Sequence, residues 1–248
     1  MIPGPKARRR LLALAACLAL TVAGALLAAL LLAGAAPDWA PAGPAPGAPS
    51  AEAFEHAVVR QLTAVREEDP SRSPPAATPG GPAWASLPWS VSLHDDDLRA
   101  WLSHRLEPWA VSRGLLSGWP ANLSHPVVVC EDGVLHVAVR LGGPEGRLAH
   151  ISCIPRIAAD GSLWLTPTAA GVGRLRLPPE WVLRDGLIGK SPDAQTTRLL
   201  ECLRGERPLV DHAVIPLEGR RLVRILDLSP RRGRLEVRCR TELARDRN

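Results

Sequence analysis

Residues 127–141 read Val127-Val128-Val129-Cys130-Glu131-Asp132-Gly133-Val134-Leu135-His136-Val137-Ala138-Val139-Arg140-Leu141. Two valine-rich runs flank Asp-Gly, which predicts antiparallel strands joined by a tight turn. In the return strand Leu135, Val137, Val139 and Leu141 share one face, and His136 and Arg140 share the other. The period of two continues downstream. Arg147 to Ile157 is a third strand, and Asp160-Gly161 turns into Ser162 to Thr168, with Leu163 and Leu165 inward. Gly171 to Leu177 continues in extended form. These runs predict an antiparallel meander with short connections. Pro178-Pro179 opens a helix carrying Trp181, Val182 and Leu187, since proline fits a helix start. Ala194 to Arg204 is helical, with Leu199, Leu200 and Leu203 apolar. The chain finishes with strands at Val210–Pro216, Arg221–Leu228 and Arg234–Leu243. In the last, Leu235, Val237 and Cys239 face inward, opposite Arg234, Glu236, Arg238 and Arg240.

Upstream the pattern becomes helical. Ser86 to Trp109 carries a helix with Asp95-Asp96-Asp97 in its first turn, where acids favour the dipole. Leu98, Trp101, Leu102 and Leu106 repeat at helical spacing, and Glu107-Pro108 ends it. His94 with the three aspartates is better read as a helix start than as a metal site, because adjacent residues of one turn point in different directions. Pro70 to Pro82 is irregular, and residues 50–69 predict an amphipathic helix with Ser50 as its cap and Phe54, Val58, Leu62 and Val65 as its stripe. Pro37 to Pro49 reads as an extended spacer.

Before that spacer, Leu11 to Ala36 contains no charged residue and follows Arg8-Arg9-Arg10. A helix over this run would be about 39 Å long, enough to span a bilayer with some tilt. The arginines place its N-terminal side in the cytoplasm and the rest of the chain outside. An uncleaved anchor fits the length best. Cleavage at Ala33-Gly34-Ala35 and lipoprotein processing at Cys17 are the alternatives. The expected organisation is thus a basic segment (1–10), a transmembrane helix (11–36), a linker with one helix (37–83), an extracytoplasmic α+β domain (84–243) and a tail (244–248). The domain is expected to be a curved antiparallel sheet with helices on one face, burying Leu135, Val137, Val139, Leu235 and Val237.

Net charge is +5, and residues 218–248 hold ten arginines against five acids. Such a face is compatible with anionic lipid or nucleic acid, the location argues against nucleic acid, and a solvated strand face is the commoner reading. Cys130, Cys153, Cys202 and Cys239 lie outside the membrane segment, at spacings that match no metal motif. In the meander Cys130 and Cys153 are two strands apart, too far for a disulfide. Cys202 is the more reachable partner for a core sulfur.

No hydrolase elbow, zinc-helix, phosphate-loop or dinucleotide motif occurs, and Gly171-Val172-Gly173 reads as strand glycine. Asp211-His212 is a candidate acid–base pair with no identified nucleophile. No cofactor or metal is expected. Eight tryptophans stand against one phenylalanine, and Trp84, Trp89, Trp101, Trp109 and Trp119 cluster in sequence. They are candidates to line a partner- or lipid-binding groove, or to serve as core residues in place of Phe and Tyr.

The order of elements resembles the YpmS-type family of bacterial membrane-anchored proteins. The likeness rests on the N-terminal apolar helix, Ser92-Leu93-His94-Asp95-Asp96-Asp97-Leu98-Arg99-Ala100-Trp101-Leu102, Val134–Val139, Asp160-Gly161-Ser162-Leu163, and Gly173-Arg174-Leu175-Arg176-Leu177-Pro178. It covers Leu87 to Leu243, with Arg99 where the family carries Asn. It implies a membrane-tethered α+β domain distantly like elongated lipid-binding folds, and no particular substrate. The expected function is a non-catalytic envelope protein, anchored in the membrane, that presents a surface to an envelope protein or lipid partner. A lipid-binding or lipid-transfer module is the alternative, and an envelope hydrolase the third reading.

Overall fold

Alternation and turn chemistry build two antiparallel sheets here, where one curved sheet was expected. The computed structural model describes residues 21–41, 43, 45–69, 82–112, 118–119, 123–142, 146–182 and 194–244. The basic segment, the first half of the apolar run with Cys17, most of Pro70–Pro82, Leu187 and most of the tail lie outside those residues. In chain order the elements are α1 (21–34), α2 (Ala48–Thr63), β1 (Trp84–Ala85), β2 (Trp89–His94), α3 (Asp95–His104), α4 (Leu106–Ser112), β3 (Val127–Glu131), β4 (Val134–Leu141), β5 (Arg147–Ile157), β6 (Leu163–Val172), β7 (Leu175–Leu177), α5 (Pro179–Val182), α6 (Ala194–Arg204), β8 (Val214–Pro216), β9 (Arg221–Arg231) and β10 (Arg234–Leu243).

The first sheet is the expected meander, β3-β4-β5-β6-β7. Its turns use the residues that favour them. Gly133 and Gly161 adopt φ of 82° and 83°, and the Asp160 carboxylate accepts from both the amide and the hydroxyl of Ser162. Cys130 and Cys153 both stand opposite Leu135 from either side, so one strand separates them. All four described cysteines are buried free thiols, and burial pushes Cys153 and Cys239 up to about 11. Cys130 is also raised, by burial first and then by the Asp95 carboxylate.

The second sheet runs β1-β10-β9-β8, with β2 end to end with β1 along the same edge of β10. Val223, Val237 and Cys239 are its buried centre. The strand Trp89–His94 precedes the helix in a stretch whose apolar spacing predicted helix alone. α3 then starts at the three aspartates, as expected. Pro108 lies in the first turn of α4, where a proline is tolerated, and does not end the helix. The sheets meet at two turns: the Gly133 amide donates to the Pro230 carbonyl and the Gly233 amide to that of Cys130.

α2 starts two residues before the expected Ser50, with Gly47 as its N-terminal flank and Pro49 in its first turn. It places Leu62 on the second sheet's core and ends at Thr63, which leaves Val65 95% exposed instead of on the stripe. Arg105, which caps the C-terminal end of α3, holds it through Glu55 at 3.1 Å and Glu52 at 3.6 Å. The Pro/Ala-rich stretch before α2 does not stand off as a spacer. Arg99 donates to the Gly43 carbonyl at 2.8 Å, and His104 Nε2 lies 3.1 Å from that of Pro46.

No helix among the described residues is long and apolar enough to cross a membrane. α1 covers the second half of the run Leu11–Ala36.

Candidate functional site

A helix ends on carbonyls that have no partner within it. At the end of α1, the Leu32 carbonyl accepts from the Arg174 amide at 2.7 Å. Arg174 also donates Nε–H to the Ala36 carbonyl at 3.0 Å and pairs with Asp38. A cation is favourable there, because the helix dipole is negative at that end. The approach depends on Gly173, with φ 58°. A Cβ on it would lie 2.5–2.6 Å from the carbonyl oxygens of Leu32, Ala33 and Ala35.

Beyond the helix end, Trp39 lies over the first sheet. Its ring stacks on His136 at 4.7 Å and meets His150 edge-on at 5.3 Å. His136, Ser152 and His150 share the face expected to be wet, and this segment covers it. Leu135, Val137 and Val139, expected in the core, are only half-buried, with Ile151 and Leu203 packed on Val137's side.

His136 Nδ1 lies 2.8 Å from Ser152 Oγ and Nε2 lies 3.2 Å from Glu131 Oε2. Serine, imidazole and carboxylate in series is the connectivity of a hydrolytic relay. Ser152 is 5% exposed beneath the Trp39 segment, so no substrate carbonyl reaches its hydroxyl in this arrangement. What the relay does here is fix the imidazole plane on which Trp39 stacks. The acid–base pair suggested by sequence, Asp211-His212, lies elsewhere and is exposed.

His150 faces the Gly173 carbonyl at 3.1 Å through Nε2, which must therefore carry the proton. Its Nδ1 is buried and meets no hydrogen-bond partner among the described residues. Burial, with repulsion from His136 and Arg176, holds its pKa below the ordinary 6.5 against the pull of the Gly173 carbonyl. A histidine lowered on folding binds fewer protons folded than unfolded. Its contribution is complete above the unfolded value and is lost as pH falls below 6.5 toward the folded value. The amides of Ala35, Ala36, Asp38, Trp39 and Ala40 should therefore exchange faster at pH 5 than at pH 7.5 after correction for intrinsic rates. Equal protection, or equal loss in His150→Gln, would remove His150 from the account.

The five tryptophans expected to line a groove fall in several places. Trp84 sits in β1, and Trp89 donates to Thr241 Oγ1 at 3.2 Å with the Arg66 guanidinium 4.0 Å above its ring. Trp101 and Trp109 meet edge to face at 6.0 Å on α3 and α4. Trp119 stacks on His125 at 5.2 Å beside the first sheet. The tryptophan that makes a polar site is Trp39, which lay in the stretch read as spacer. A lone Asp38-Trp39 within an Ala/Pro/Gly run was the available signal.

A groove of about 410 Å³ opens instead between α2 and β2. Phe54 and Val58 line one wall, Val91 and Leu93 the other, with Gln61 and Asp97 among its polar groups. No group of three or more potential metal ligands occurs among the described residues. No family model and no curated protein matches the chain.

Proposed function

We propose that the chain is a single-pass membrane protein whose extracytoplasmic domain is non-catalytic and holds an extended apolar segment of an envelope protein. The groove between α2 and β2 carries this reading. β2 pairs with β10 on one side, and no described strand pairs with its other side. An added strand would find backbone hydrogen bonds along Ser90–Leu93 and apolar contact with Phe54 and Val58. The long uncharged run after three arginines supplies the tether.

The lipid-binding reading is favoured by a different observation. Trp89, Val91, Leu93, Ile225, Leu228 and Leu235 are only half-buried around the second sheet's core, where an acyl chain would be accepted. A photo-reactive residue at position 92 of the full chain in cells, with organic extracts of the purified protein, separates the two. A defined protein adduct abolished by Val58→Glu supports the first. Stoichiometric lipid without an adduct supports the second. A C-terminal reporter active only in the cytoplasm would overturn both.

A further inference from the structure

We propose that the end of the first sheet that receives α1 rests on the membrane and binds anionic phospholipid headgroups through Arg140, Arg147 and Arg176. This rests on reading Leu11–Ala36 as the membrane span. Carbonyls at a helix C-terminus point along its axis, away from the helix body. The Leu32 carbonyl meets the Arg174 amide, so the β6–β7 turn lies directly beyond the end of α1. The strand register fixes what else is at that end. Arg140 stands opposite Leu148, Arg147 opposite Leu141, and Arg176 opposite Gly171, which itself faces His150. Arg140 and Arg176 thus flank the seat on its own face, and Arg147 begins the strand at the tip.

Among the described residues the charge at this end is one-sided. Asp38 is taken by Arg174, and Glu107 by His125 and the Trp119 amide. Among the described residues no carboxylate lies within ion-pair reach of Arg140, Arg147 or Arg176. Trp119 is held to this end, since it donates to the Leu123 carbonyl and Leu123 bridges to Leu141, a 39% exposed leucine. Arginines with an amphipathic ring and one exposed leucine suit the headgroup level of a bilayer. The arginine-rich C-terminal hairpin has its turn at the opposite end of this sheet, bonded to the β3–β4 turn.

The test uses the full chain in nanodiscs of phosphatidylcholine alone or with phosphatidylglycerol, scored by arginine-specific modification with phenylglyoxal. Arg147 and Arg176 are exposed and give the signal, while Arg234 at the far end is the internal control. Modification of both should slow by about fivefold in phosphatidylglycerol discs, with Arg234 unchanged. Equal rates in the two lipids, or slowing at Arg234 as well, would overturn the headgroup contact. Co-elution with the discs is measured first. A chain that does not co-elute removes the membrane span and the inference with it, whereas a retained chain with unchanged rates removes the inference alone.

Discussion

Replacing Gly173 with alanine should detach residues 32–39 from the domain while both sheets stay folded. The left-handed backbone alone costs an alanine about 1–2 kcal/mol. The larger effect is steric. The new Cβ would sit 2.5–2.6 Å from three backbone carbonyl oxygens, and none of them is the end of a flexible side chain. The helix end must withdraw, taking with it the Arg174 amide bond and the stack of Trp39 on His136. The amides of Ala35, Ala36, Asp38, Trp39 and Ala40 should lose protection to the level of an unstructured segment, and those of β4 and β5 should keep it. Trp39→Ala should give the same pattern from the other side of the contact. Unchanged protection of those five amides in both variants would show that the segment is held by something else.

The second large effect belongs to Glu242, which is 3% exposed in β10. Arg224 reaches its carboxylate with Nε at 3.0 Å and Nη2 at 3.0 Å, and Arg240 with Nη2 at 2.7 Å. Removing one partner of a buried ion pair typically costs about 3–5 kcal/mol, because the remaining charge stays buried without its counter-charge. Glu242→Ala should bring the second sheet to the edge of unfolding in a thermal melt. Glu242→Gln, which retains an acceptor, should lose less. Burial opposes ionisation of this carboxyl, but the bonds from both arginines outweigh it and hold its pKa below the ordinary 4.5. Its stabilising contribution is present above 4.5 and disappears as pH falls through the folded value. The deficit of Glu242→Gln in a melt should accordingly be largest at pH 7 and shrink as pH falls below 4.5. A constant difference across that range would deny the pair this role.

The first sheet is legible because its signals are local. Asp132-Gly133, Asp160-Gly161 and the alternation around them place β3 to β6 within a few residues. The short strand Trp89–His94 is not, since six residues pairing with β10 leave little pattern of their own. The seat is hidden for another reason. His136, Ser152 and His150 look like a solvated face because the segment that covers them comes about a hundred residues earlier, in a run whose composition suggests a tether. Side chains this far apart in sequence carry no shared period. The α2–β2 groove is half legible: the spacing of Phe54, Val58 and Leu62 predicts one apolar stripe, but of these three only Leu62 reaches the core, while Phe54 and Val58 line the groove.

The pairing of β2 with β10 also sets a timetable. A ribosome emits about 5–20 residues per second, and roughly 140 residues separate His94 from its partner Arg234. The meander between them can close neighbour by neighbour as it emerges. Trp89, Val91 and Leu93 must wait about seven to thirty seconds with their apolar side chains uncovered. If the chain crosses a membrane as it is made, that interval is spent on the far side, away from cytoplasmic holdases. A nascent chain stalled before residue 234 should be a complete first sheet with degradable segments on both sides of it, β2 among them, and pulse-chase protease sensitivity of such a stalled species would reveal it.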